Sequence, residues 1–423
     1  MDAVVHRSKL SGSVKAPPSK SYTHRALVLA SMAAGESEVM NPLYCRDTEA
    51  TLQCCMKLGA RVTAAEDITV LGGRLRAPCS MLDAKSSGTT ARLITAVASH
   101  AAGGFTLVTG SRSLRKRPMG PLLLAIRDLG GRAWSIGEEG KLPVVVEGCG
   151  LAGGEAEVDS RLSSQFLSAL LATSLWARRE VRLKPVGLVS KPYVEMTVHV
   201  VRWFGGCIEE RSWGYVVPPE QLLKPAGFRV PGDFSLAALL AAAAALTESR
   251  VEVKGLSLAH PQGDSAFIQC FRELGVDIEC REESIVVQGF SPRAARLNLR
   301  DTPDLLPALA VLAAKAPGRT VLEGVKHTRV KESDRVVALA SELSKLGAEA
   351  HAEEDRLVIE GGELRGGSTL SSWGDHRIAM ALVALALSLD EPTLIRGVEC
   401  IADSYPSFLK DVMRLGGRIE VVR

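Results

Sequence analysis

Cationic and hydroxyl side chains are concentrated in this chain at the points where apolar runs begin. The first of these points is Pro18-Ser19-Lys20-Ser21, with Arg25 close behind it, before the apolar run Ala26–Ala34. Proline and serine ahead of an apolar run are signals for the start of a helix. A helix N-terminus presents unpaired N–H groups and partial positive charge, so it favours a bound anion. The stretch therefore predicts an anion-binding helix N-terminus, to which Lys20 and Arg25 add full charges.

The same kind of helix start recurs five more times along the chain. Each time, polar side chains come directly before a long apolar run, which is typical of a buried helix with a polar N-terminus. One such start is common in proteins that bind nothing there, but six in register favour a shared binding site. The five further starts are Ser86-Ser87-Gly88-Thr89-Thr90, Ser163-Ser164-Gln165, Gly232-Asp233-Phe234-Ser235, Asp301-Thr302-Pro303-Asp304 and Gly374-Asp375-His376-Arg377.

Two basic clusters lie in register with these helix starts. Arg112–Arg117 precedes a predicted helix, and taken alone it is typical of a solvated basic loop. In Arg329–Arg335 the residues Lys331 and Arg335 are four apart, on one face of a predicted helix, as in a salt-bridged surface helix. The register with the repeat favours instead a ligand with several negative charges, which arginine and lysine bind by charge-assisted hydrogen bonds.

Two carboxylates stand among these cations. Asp304 lies at the start of a predicted buried helix, and Glu332 lies between Lys331 and Arg335. A carboxylate close to cations and in a low dielectric has a tunable pKa and can move protons. The pattern therefore predicts Asp304 as a general base and Glu332 as a proton donor or acceptor.

A sixfold internal repeat positions these residues. Amphipathic runs end at pairs such as Leu58-Gly59, and the six glycines of these pairs follow one another at intervals of 69 to 75 residues. A β-rich stretch such as Phe105–Val108 follows each apolar run, so each repeat has the predicted order β-α-β-α-β-β. The other pairs are Leu129-Gly130, Phe204-Gly205, Leu274-Gly275, Leu346-Gly347 and Leu415-Gly416.

The first helix of each repeat is predicted to be buried on all sides. Leu236–Leu246 is apolar throughout, whereas strands such as Arg250–Lys254 alternate and therefore face water on one side. Helices inside and sheets outside predict an α/β fold made of two inside-out barrel globules. Three repeats would form each globule, and the polar helix N-termini would line a cleft.

The repeat count also predicts the domain boundaries. Repeats one to three give an N-terminal globule over residues 19–231, and repeats four to six give a C-terminal globule over residues 232–423. The N-terminal strand, Val4–Val14, has no partner in its own half, so residues 1–18 are expected to complete the C-terminal globule. The two chain crossings, which are expected to act as a hinge, lie near residues 15–19 and 228–233.

Composition excludes several classes of protein. The chain has 423 residues, of which 46% are hydrophobic, and a formal net charge of +3, which is too small for a general nucleic-acid binder. No apolar stretch is long enough to span a membrane, and the first residues lack the apolar core of a signal peptide. The nine cysteines show neither Cys-x-x-Cys nor Cys/His metal spacing. We therefore expect a cytoplasmic protein with reduced thiols that binds no metal, nucleic acid or membrane.

Seven motifs follow one another along nearly the whole chain. They are Pro18-Ser19-Lys20-Ser21 with Arg25, Ser87-Gly88-Thr89-Thr90-Ala91-Arg92, Arg117-Pro118-Met119, Ser163-Ser164-Gln165-Phe166-Leu167, Ser190-Lys191-Pro192-Tyr193, Arg329–Arg335 and Asp375-His376-Arg377. Together they resemble the motifs of the EPSP synthase family, the 3-phosphoshikimate 1-carboxyvinyltransferases, whose fold is the two-globule, six-repeat arrangement that the repeat predicts.

The resemblance implies an enzyme that transfers the enolpyruvyl (carboxyvinyl) group of phosphoenolpyruvate to the 5-hydroxyl of shikimate 3-phosphate and releases phosphate. It also implies a place in the shikimate pathway to chorismate and the aromatic amino acids, with glyphosate as an inhibitor.

The resemblance also implies roles for single residues. Asp304 would take the proton of the 5-hydroxyl, Glu332 would handle the proton on the methylene carbon, and Lys20 would act at the departing phosphate. It implies no cofactor and no metal; the expected partners are the two small substrates, and we expect a monomer. The residues implied to hold shikimate 3-phosphate are Lys20, Ser21, Arg25, Ser163, Ser164, Gln165, Ser190, Tyr193, Asp304 and Lys331. Those implied to hold phosphoenolpyruvate are Lys20, Gly88, Arg117, Gln165, Arg335 and Arg377.

The sequence departs from the family's pattern in three places. Lys85 and Ser86 stand where the family usually has Gly-Asn, and His327 replaces an asparagine often used for phosphoshikimate. Asp403 lies where many relatives carry a lysine that binds phosphoenolpyruvate. We assign no role to these four residues.

Two alternatives stay open. The sister enzyme that transfers enolpyruvyl to UDP-N-acetylglucosamine resembles this fold, but it normally carries a cysteine in the loop matching Arg112–Arg117, which has none here. The motifs Ser163-Ser164-Gln165 and Lys331–Arg335 also fit the phosphoshikimate enzyme better. A non-enzymatic repeat protein that binds polyanions would explain the cations, but not Asp304 and Glu332 among them.

Overall fold

The computed structural model describes residues Met1–Val422, which form twelve α-helices and 24 β-strands. The helices are α1 (Lys20–Met32), α2 (Arg46–Lys57), α3 (Gly88–Ala98), α4 (Gly120–Asp128), α5 (Gln165–Thr173), α6 (Lys191–Trp203), α7 (Phe234–Leu246), α8 (Phe267–Glu273), α9 (Leu306–Lys315), α10 (Arg335–Ser344), α11 (His376–Ala386) and α12 (Phe408–Arg414). The strands are β1 (Asp2–His6), β2 (Ser11–Lys15), β3 (Gly35–Met40), β4 (Arg61–Ala64), β5 (Ile68–Gly72), β6 (Leu82–Asp83), β7 (Phe105–Thr109), β8 (Arg132–Ser135), β9 (Val144–Glu147), β10 (Gly154–Asp159), β11 (Val181–Val186), β12 (Glu209–Arg211), β13 (Gly214–Val217), β14 (Gly227–Arg229), β15 (Arg250–Lys254), β16 (Val276–Cys280), β17 (Ser284–Phe290), β18 (Arg296–Asn298), β19 (Gly318–Glu323), β20 (Glu349–Ala352), β21 (Arg356–Gly361), β22 (Thr369–Ser371), β23 (Thr393–Arg396) and β24 (Arg418–Val422).

The chain divides into two compact units. The N-unit comprises Pro18–Pro231, and the C-unit comprises Met1–Pro17 together with the chain from Gly232 onward. The chain therefore passes from one unit to the other twice. The expected hinge at these two passages stays a prediction.

Each unit contains three four-stranded sheets that share one topology. In every sheet a parallel pair lies at one edge, and the remaining neighbours are antiparallel. Six copies of this topology confirm the predicted α/β fold of six repeats. The strand orders are β14-β3-β5-β4, β6-β7-β9-β8 and β10-β11-β13-β12 in the N-unit, and β2-β15-β17-β16, β18-β19-β21-β20 and β22-β23-β1-β24 in the C-unit.

The N-terminal segment forms two strands rather than the single strand predicted over Val4–Val14. Strand β1 lies between β23 and β24, while β2 pairs in parallel with β15 in a different sheet of the C-unit. Between β1 and β2 the backbone N–H groups donate to residues outside the neighbouring strands. Ser8 N donates to Leu387 O, and Leu10 N donates to Oγ of Ser249. Because these N–H groups are satisfied by other elements, one strand cannot continue through them.

Apolar helices form the core of each unit. Every residue of α7 and α11 is buried, and so is every residue of α9 except its last, Lys315. In the N-unit, α1, α3 and α5 are buried over nearly their whole length. A helix without a polar face must be covered on all sides, and the sheets supply that cover.

Six glycines end the second helix of each repeat in the left-handed conformation. Their φ angles lie between +78° and +116°, which side chains with a Cβ rarely adopt. The Leu-Gly spacing in the sequence is therefore the spacing of helix C-termini. The six residues are Gly59, Gly130, Gly205, Gly275, Gly347 and Gly416.

The nine cysteines are all free thiols. Burial raises the pKa of Cys54 and of Cys55 to about 12, so both are protonated at neutral pH. Within Met1–Val422, no group of three or more His, Cys, Asp or Glu side chains is arranged to hold a metal ion. No helix in that same range is long and apolar enough to cross a membrane.

We expect His100, just after α3, to make the protein less stable in mild acid. Burial lowers the pKa of His100 to about 4, although a hydrogen bond to the backbone of Thr173 opposes the shift. The unfolded chain binds this proton below pH 6.5 and the folded chain does not, so stability is lost as pH falls below that value. From ~pH 7 to ~pH 5 the loss is on the order of 2 kcal/mol.

Urea denaturation at both pH values tests this prediction. Tryptophan fluorescence can monitor the unfolding, because the His100 ring lies 5.7 Å from the ring of Trp176. In His100→Gln the difference between the two pH values should shrink by that amount. An equal difference in both proteins would contradict the prediction.

Candidate active site

Serine side chains cap the helices that carry two of the predicted site residues in the N-unit. Ser19 Oγ accepts a hydrogen bond from Tyr22 N at 3.4 Å at the start of α1, and Ser87 Oγ accepts one from Thr90 N at 3.1 Å at the start of α3. A cap satisfies one N–H group and leaves others of the first turn for a ligand. The first residues of these helices are Lys20 and Gly88, as the sequence predicts.

A buried carboxylate from α2 holds Lys20. Its Nζ lies 3.0 Å from Oδ2 of Asp47, and the two side chains are 14% and 6% exposed. Asp47 lies in the first turn of α2, where the helix dipole stabilises negative charge. The pair fixes the position of the ammonium group at the start of α1.

Arg25 is a buried cation whose hydrogen-bond partners are neutral. Its guanidinium donates to Oγ1 of Thr197, to Ser21 O and to Tyr193 O, each at 2.8 Å. Burial lowers the pKa of Arg25 to about 10, and it stays charged at neutral pH. A buried charge is expensive unless an opposite charge compensates it, so this site favours a bound anion.

Gly88 lies close to three side chains. A methyl group in place of its hydrogen would meet Nη1 of Arg92, and would lie 3.3 Å from Nη1 of Arg117 and 3.4 Å from Oε1 of Gln165. Gln165 is held in turn by Thr89, whose Oγ1 accepts from its Nε2 at 3.0 Å, and by Arg92, whose Nη1 donates to its Oε1 at 3.3 Å. Gly88 and Gln165, at the starts of α3 and α5, thus lie close to Arg117, which precedes α4.

The remaining predicted residues of the N-unit are placed by α5 and α6. Ser163 Oγ accepts from Gln165 N at 3.2 Å, and Ser164 occupies the N-cap position of α5. Ser190 occupies the N-cap position of α6 with φ +54°, a left-handed conformation that costs about 1–3 kcal/mol in a residue other than glycine. Strain of this kind is concentrated at functional sites, which supports a ligand role for Ser190.

Three carboxylates surround Arg335 at the start of α10 in the C-unit. Its Nε lies 2.8 Å from Oδ2 of Asp375, its Nη1 lies 2.8 Å from Oδ1 of Asp304, and its Nη2 lies 3.0 Å from Oε2 of Glu332. The arginine side chain is 1% exposed. Burial lowers the pKa of Arg335, but Asp375, Asp304 and Glu332 outweigh burial and raise it.

Asp304 bridges two arginines. Its Oδ2 lies 2.9 Å from Nη2 of Arg377, while its Oδ1 binds Arg335. Burial by itself would raise the pKa of Asp304, but the charges of Arg377, Arg335 and Lys331 hold it well below its usual range. Asp304 is therefore an anion that neutralises the cations around it.

Lys331 and Arg335 do not share a helical face, contrary to the prediction. Helix α10 begins only at Arg335, because the Asp334 carboxylate caps it by accepting from Val337 N at 3.1 Å. Lys331 has a non-helical backbone, with φ −87° and ψ −148°, and precedes the cap. Glu332 also precedes the helix, and it still forms an ion pair with Arg335, three residues later.

Sequence reasoning missed four residues that hold the predicted ones. Asp47 binds Lys20, Arg92 binds Gln165, Thr197 binds Arg25 and Asp375 binds Arg335. Arg92 and Asp375 lie within the motifs Ser87–Arg92 and Asp375–Arg377, so the sequence does point to these two residues. Asp47 and Thr197 are far from those motifs along the chain, and only the fold brings them to their partners.

A family model described as EPSP synthase (3-phosphoshikimate 1-carboxyvinyltransferase) matches residues 4–412. The chain belongs to the EPSP synthase family. The resemblance stated from the motifs is therefore confirmed, and with it the prediction of a carboxyvinyltransferase.

Relatives of the EPSP synthase family match the chain over nearly its whole length. The 3-phosphoshikimate 1-carboxyvinyltransferase of Korarchaeum cryptofilum is 43% identical over 97% of this chain and 98% of its own. The protein of the same name from Halobacterium salinarum is 41% identical over 98% of this chain and 99% of its own.

Solved structures share the fold of this EPSP synthase family member. An EPSP synthase from Acinetobacter baumannii superimposes with a TM-score of 0.84 at 29% identity, covering 100% of both chains. The enolpyruvyl transferase NikO from Streptomyces tendae superimposes with a TM-score of 0.82 at 18% identity, over 99% of this chain and 98% of its own. The second likeness shows the fold alone.

The structure shows the conformation or the surroundings of two residues that depart from the EPSP synthase family pattern. Lys85 has φ +51°, a left-handed conformation that explains why glycine is usual at its position. His327 is buried, and its Nε2 has no hydrogen-bond partner among residues 1–422. Burial, and next the charge of Lys331, lower the pKa of His327 to about 3, so the ring is neutral beside Asp304 and Arg335.

Proposed function

We propose that this protein transfers the enolpyruvyl group of phosphoenolpyruvate to the 5-hydroxyl of shikimate 3-phosphate, giving 5-enolpyruvylshikimate 3-phosphate and phosphate. The family and the name shared by its relatives support this reaction. Among the site's own features, one carries the proposal furthest. Asp304 is bound to both Arg335 and Arg377, so a candidate base and two anion-binding cations form one buried cluster.

The N-unit supplies the groups that would hold shikimate 3-phosphate. Arg25 provides a buried positive charge with neutral partners, which a phosphate group would compensate. Hydroxyl groups suit the neutral alcohols of the substrate because they both donate and accept. The further residues that the family resemblance assigns to this substrate are Lys20, Ser21, Ser163, Ser164, Gln165, Ser190, Tyr193, Asp304 and Lys331.

Phosphoenolpyruvate would displace Asp304 from its arginines. The phosphate and carboxylate of this ligand can take over the guanidinium donors of Arg335 and Arg377. Asp304 then loses its contacts with two of the three cations that hold its pKa low, while its burial, which raises the pKa, remains. Binding of phosphoenolpyruvate would thus convert Asp304 from a counter-ion of the two arginines into a base. Lys20, Gly88, Arg117 and Gln165 are the N-unit residues assigned to this ligand.

The proposed proton transfers balance without a metal or cofactor. Asp304 takes the proton of the 5-hydroxyl as the hydroxyl oxygen bonds to C2 of phosphoenolpyruvate, and Glu332 in its protonated form gives a proton to the methylene carbon. The bond from C2 to the phosphate oxygen then breaks, Lys20 stabilises the departing phosphate, and the proton held by Asp304 leaves with it as hydrogen phosphate, which restores the Asp304 carboxylate. Glu332 takes back one methyl proton, which restores the carbon–carbon double bond.

Isothermal titration calorimetry and product analysis test the function. We expect shikimate 3-phosphate to bind, UDP-N-acetylglucosamine and a short oligonucleotide not to bind, and phosphate to be released only when both substrates are present. Binding of UDP-N-acetylglucosamine without binding of shikimate 3-phosphate would favour the sister enzyme. Binding of the oligonucleotide alone would favour a polyanion-binding protein.

We expect Gly88→Ala to weaken inhibition by glyphosate more than it weakens phosphoenolpyruvate binding. The new methyl group would press on Nη1 of Arg92 and crowd Arg117 and Gln165. These are ends of flexible side chains, so a shorter ligand can still be accommodated, while the longer glyphosate is penalised more. The ratio of the glyphosate inhibition constant to KM for phosphoenolpyruvate should rise. An unchanged ratio would contradict this.

We also propose that the protein is a monomer in the cytoplasm. The nine free thiols support a reducing compartment, where such cysteines persist. Sedimentation equilibrium over a range of protein concentrations tests the monomer. A mass that rises toward twice 45.1 kDa would show a dimer instead.

A further inference from the structure

Helix α2 is joined to α1 by two parallel hydrogen-bonded contacts. Lys20 Nζ lies 3.0 Å from Oδ2 of Asp47, and His24 Nδ1 lies 2.7 Å from Oγ1 of Thr51. The two residues on each helix are four apart, so each pair lies on one helical face. This face of α2 therefore fixes the first turns of α1, including the ammonium group of Lys20.

The same face of α2 continues to α3. Thr51 Oγ1 lies 2.6 Å from Oγ1 of Thr90, which lies 2.7 Å from Oγ of Ser87 and 3.3 Å from the backbone oxygen of Asp47. Ser87 is the N-cap of α3 and directly precedes Gly88. One continuous hydroxyl chain thus connects the helix that carries Lys20 to the helix start that carries Gly88.

The hydroxyl chain is buried, and its hydrogen bonds have one favourable donor-to-acceptor direction. His24, Thr51, Thr90 and Ser87 are at most 1% exposed. Burial, with the charges of Lys20 and Arg25, holds the pKa of His24 well below its usual range, so the ring is neutral. Its Nε2 has no hydrogen-bond partner within residues 1–422.

An orphaned buried N–H group is rarer than an under-satisfied acceptor, so the proton belongs on Nδ1 of His24. His24 then donates to Thr51, Thr51 to Thr90 and Thr90 to Ser87, so every hydroxyl hydrogen up to Ser87 is used. A buried network in which each of these donors has a single acceptor favours one geometry.

We propose that Thr51, together with His24 and Thr90, positions Lys20 and the Ser87-Gly88 turn so that both meet phosphoenolpyruvate without rearrangement. The inference rests on the proposed function, since it assigns Lys20 and Gly88 to this ligand. None of the three residues needs to touch the ligand, and each acts through a neighbour. Preorganising two anion-binding groups at a fixed separation removes an ordering cost from each binding event.

Two substitutions at one position separate hydrogen bonding from packing. Thr51→Val keeps the shape and removes the hydroxyl, whereas Thr51→Ser keeps the hydroxyl and removes the methyl group. In steady-state assays Thr51→Val should raise KM for phosphoenolpyruvate by about 5–30-fold, the worth of one or two buried hydrogen bonds. It should raise KM for shikimate 3-phosphate by less, because Lys20 is assigned to both substrates whereas Gly88 is assigned to phosphoenolpyruvate alone. Thr51→Ser should restore KM for phosphoenolpyruvate.

Thr95 on α3 supplies the matched control. It is buried, and its Oγ1 has no hydrogen-bond partner within residues 1–422, so Thr95→Val removes a hydroxyl that takes no part in the chain. This variant should keep wild-type KM for both substrates. If Thr51→Val does not fold, Thr90→Val applies the same test from α3, with the same expected rise in KM for phosphoenolpyruvate.

The outcomes are distinguishable. An unchanged KM for phosphoenolpyruvate in Thr51→Val and in Thr90→Val overturns the inference. A Thr51→Ser variant that is as impaired as Thr51→Val also overturns it, because packing then explains the effect. Equal losses for both substrates also overturn it, since they indicate general damage to the N-unit. Wild-type protein that forms no product from the two substrates would instead reject the proposed function, and this inference with it.

Discussion

Asp304→Asn should lower kcat by about 10²–10⁴-fold while KM for phosphoenolpyruvate stays equal or falls. The substitution removes the proposed base but keeps a side chain of the same shape beside Arg335 and Arg377. The carboxylate occupies guanidinium donors of both arginines. A neutral amide competes less for these donors, so the anionic ligand should bind at least as well as before.

The matched control is Asp411, a largely buried aspartate of the same unit that pairs with Arg414 at 3.3 Å and accepts from Ser407 at 2.6 Å. Asp411→Asn should leave kcat unchanged. Steady-state kinetics with both substrates varied give the two constants separately. A wild-type kcat in Asp304→Asn would remove Asp304 from the mechanism, and a raised KM for phosphoenolpyruvate would contradict its role as an internal counter-ion.

Glu332→Gln offers a chemical check on the division of roles between the two carboxylates. In deuterated water, proton transfer to and from the methylene carbon would introduce deuterium into the vinyl group of the product. If Glu332 carries that proton, Glu332→Gln should lower kcat by about 10²–10⁴-fold and suppress deuterium incorporation per turnover. NMR of the product measures the incorporation, and undiminished incorporation would assign the proton to another group.

Arg25→Met should raise KM for shikimate 3-phosphate by about 10²–10³-fold, because it removes a buried cation that would pair with the phosphate. The partners of Arg25 are neutral oxygens, and a methionine of similar length leaves no uncompensated charge behind. Unfolding should therefore occur at close to the wild-type temperature. A large loss of binding with little loss of stability distinguishes a ligand site from a structural arginine.

Arg202 provides the control for this second variant. It lies on α6, donates to Ile208 O at 3.0 Å and pairs with Glu210 at 3.4 Å, but its side chain is 54% exposed. Arg202→Met should leave KM for shikimate 3-phosphate unchanged. An Arg25→Met variant that binds shikimate 3-phosphate as well as this control does would show that the phosphate is held elsewhere.

The sequence was sufficient to predict features that depend on local periodicity. The apolar run Leu236–Leu246 predicted a helix buried on all sides, and the structure buries every residue of α7. The repeated Leu-Gly pairs predicted helix ends, and these glycines have the positive φ of a C-terminal cap. The single strand over Val4–Val14 was wrong because its break depends on partners at Ser249 and Leu387, which no local pattern shows.

The types of residue at the site could also be predicted, because helix starts and charge clusters are short-range signals. Lys20, Gly88 and Gln165 open their helices as the spacing indicates. Lys331 does not share a helix with Arg335, because the Asp334 cap starts α10 later than the charge pattern suggested.

Only the tertiary structure decided how the charges are paired. Arg335 is neutralised by Asp304, Glu332 and Asp375, and two of these carboxylates are distant from it in sequence. Lys20 is likewise held by Asp47 of another helix. A pKa and a hydrogen-bond network depend on distances of a few ångströms and on burial, and both arise when separate repeats pack together. The sequence therefore determined which groups are present at the helix starts, while the packing determined which of them neutralise one another.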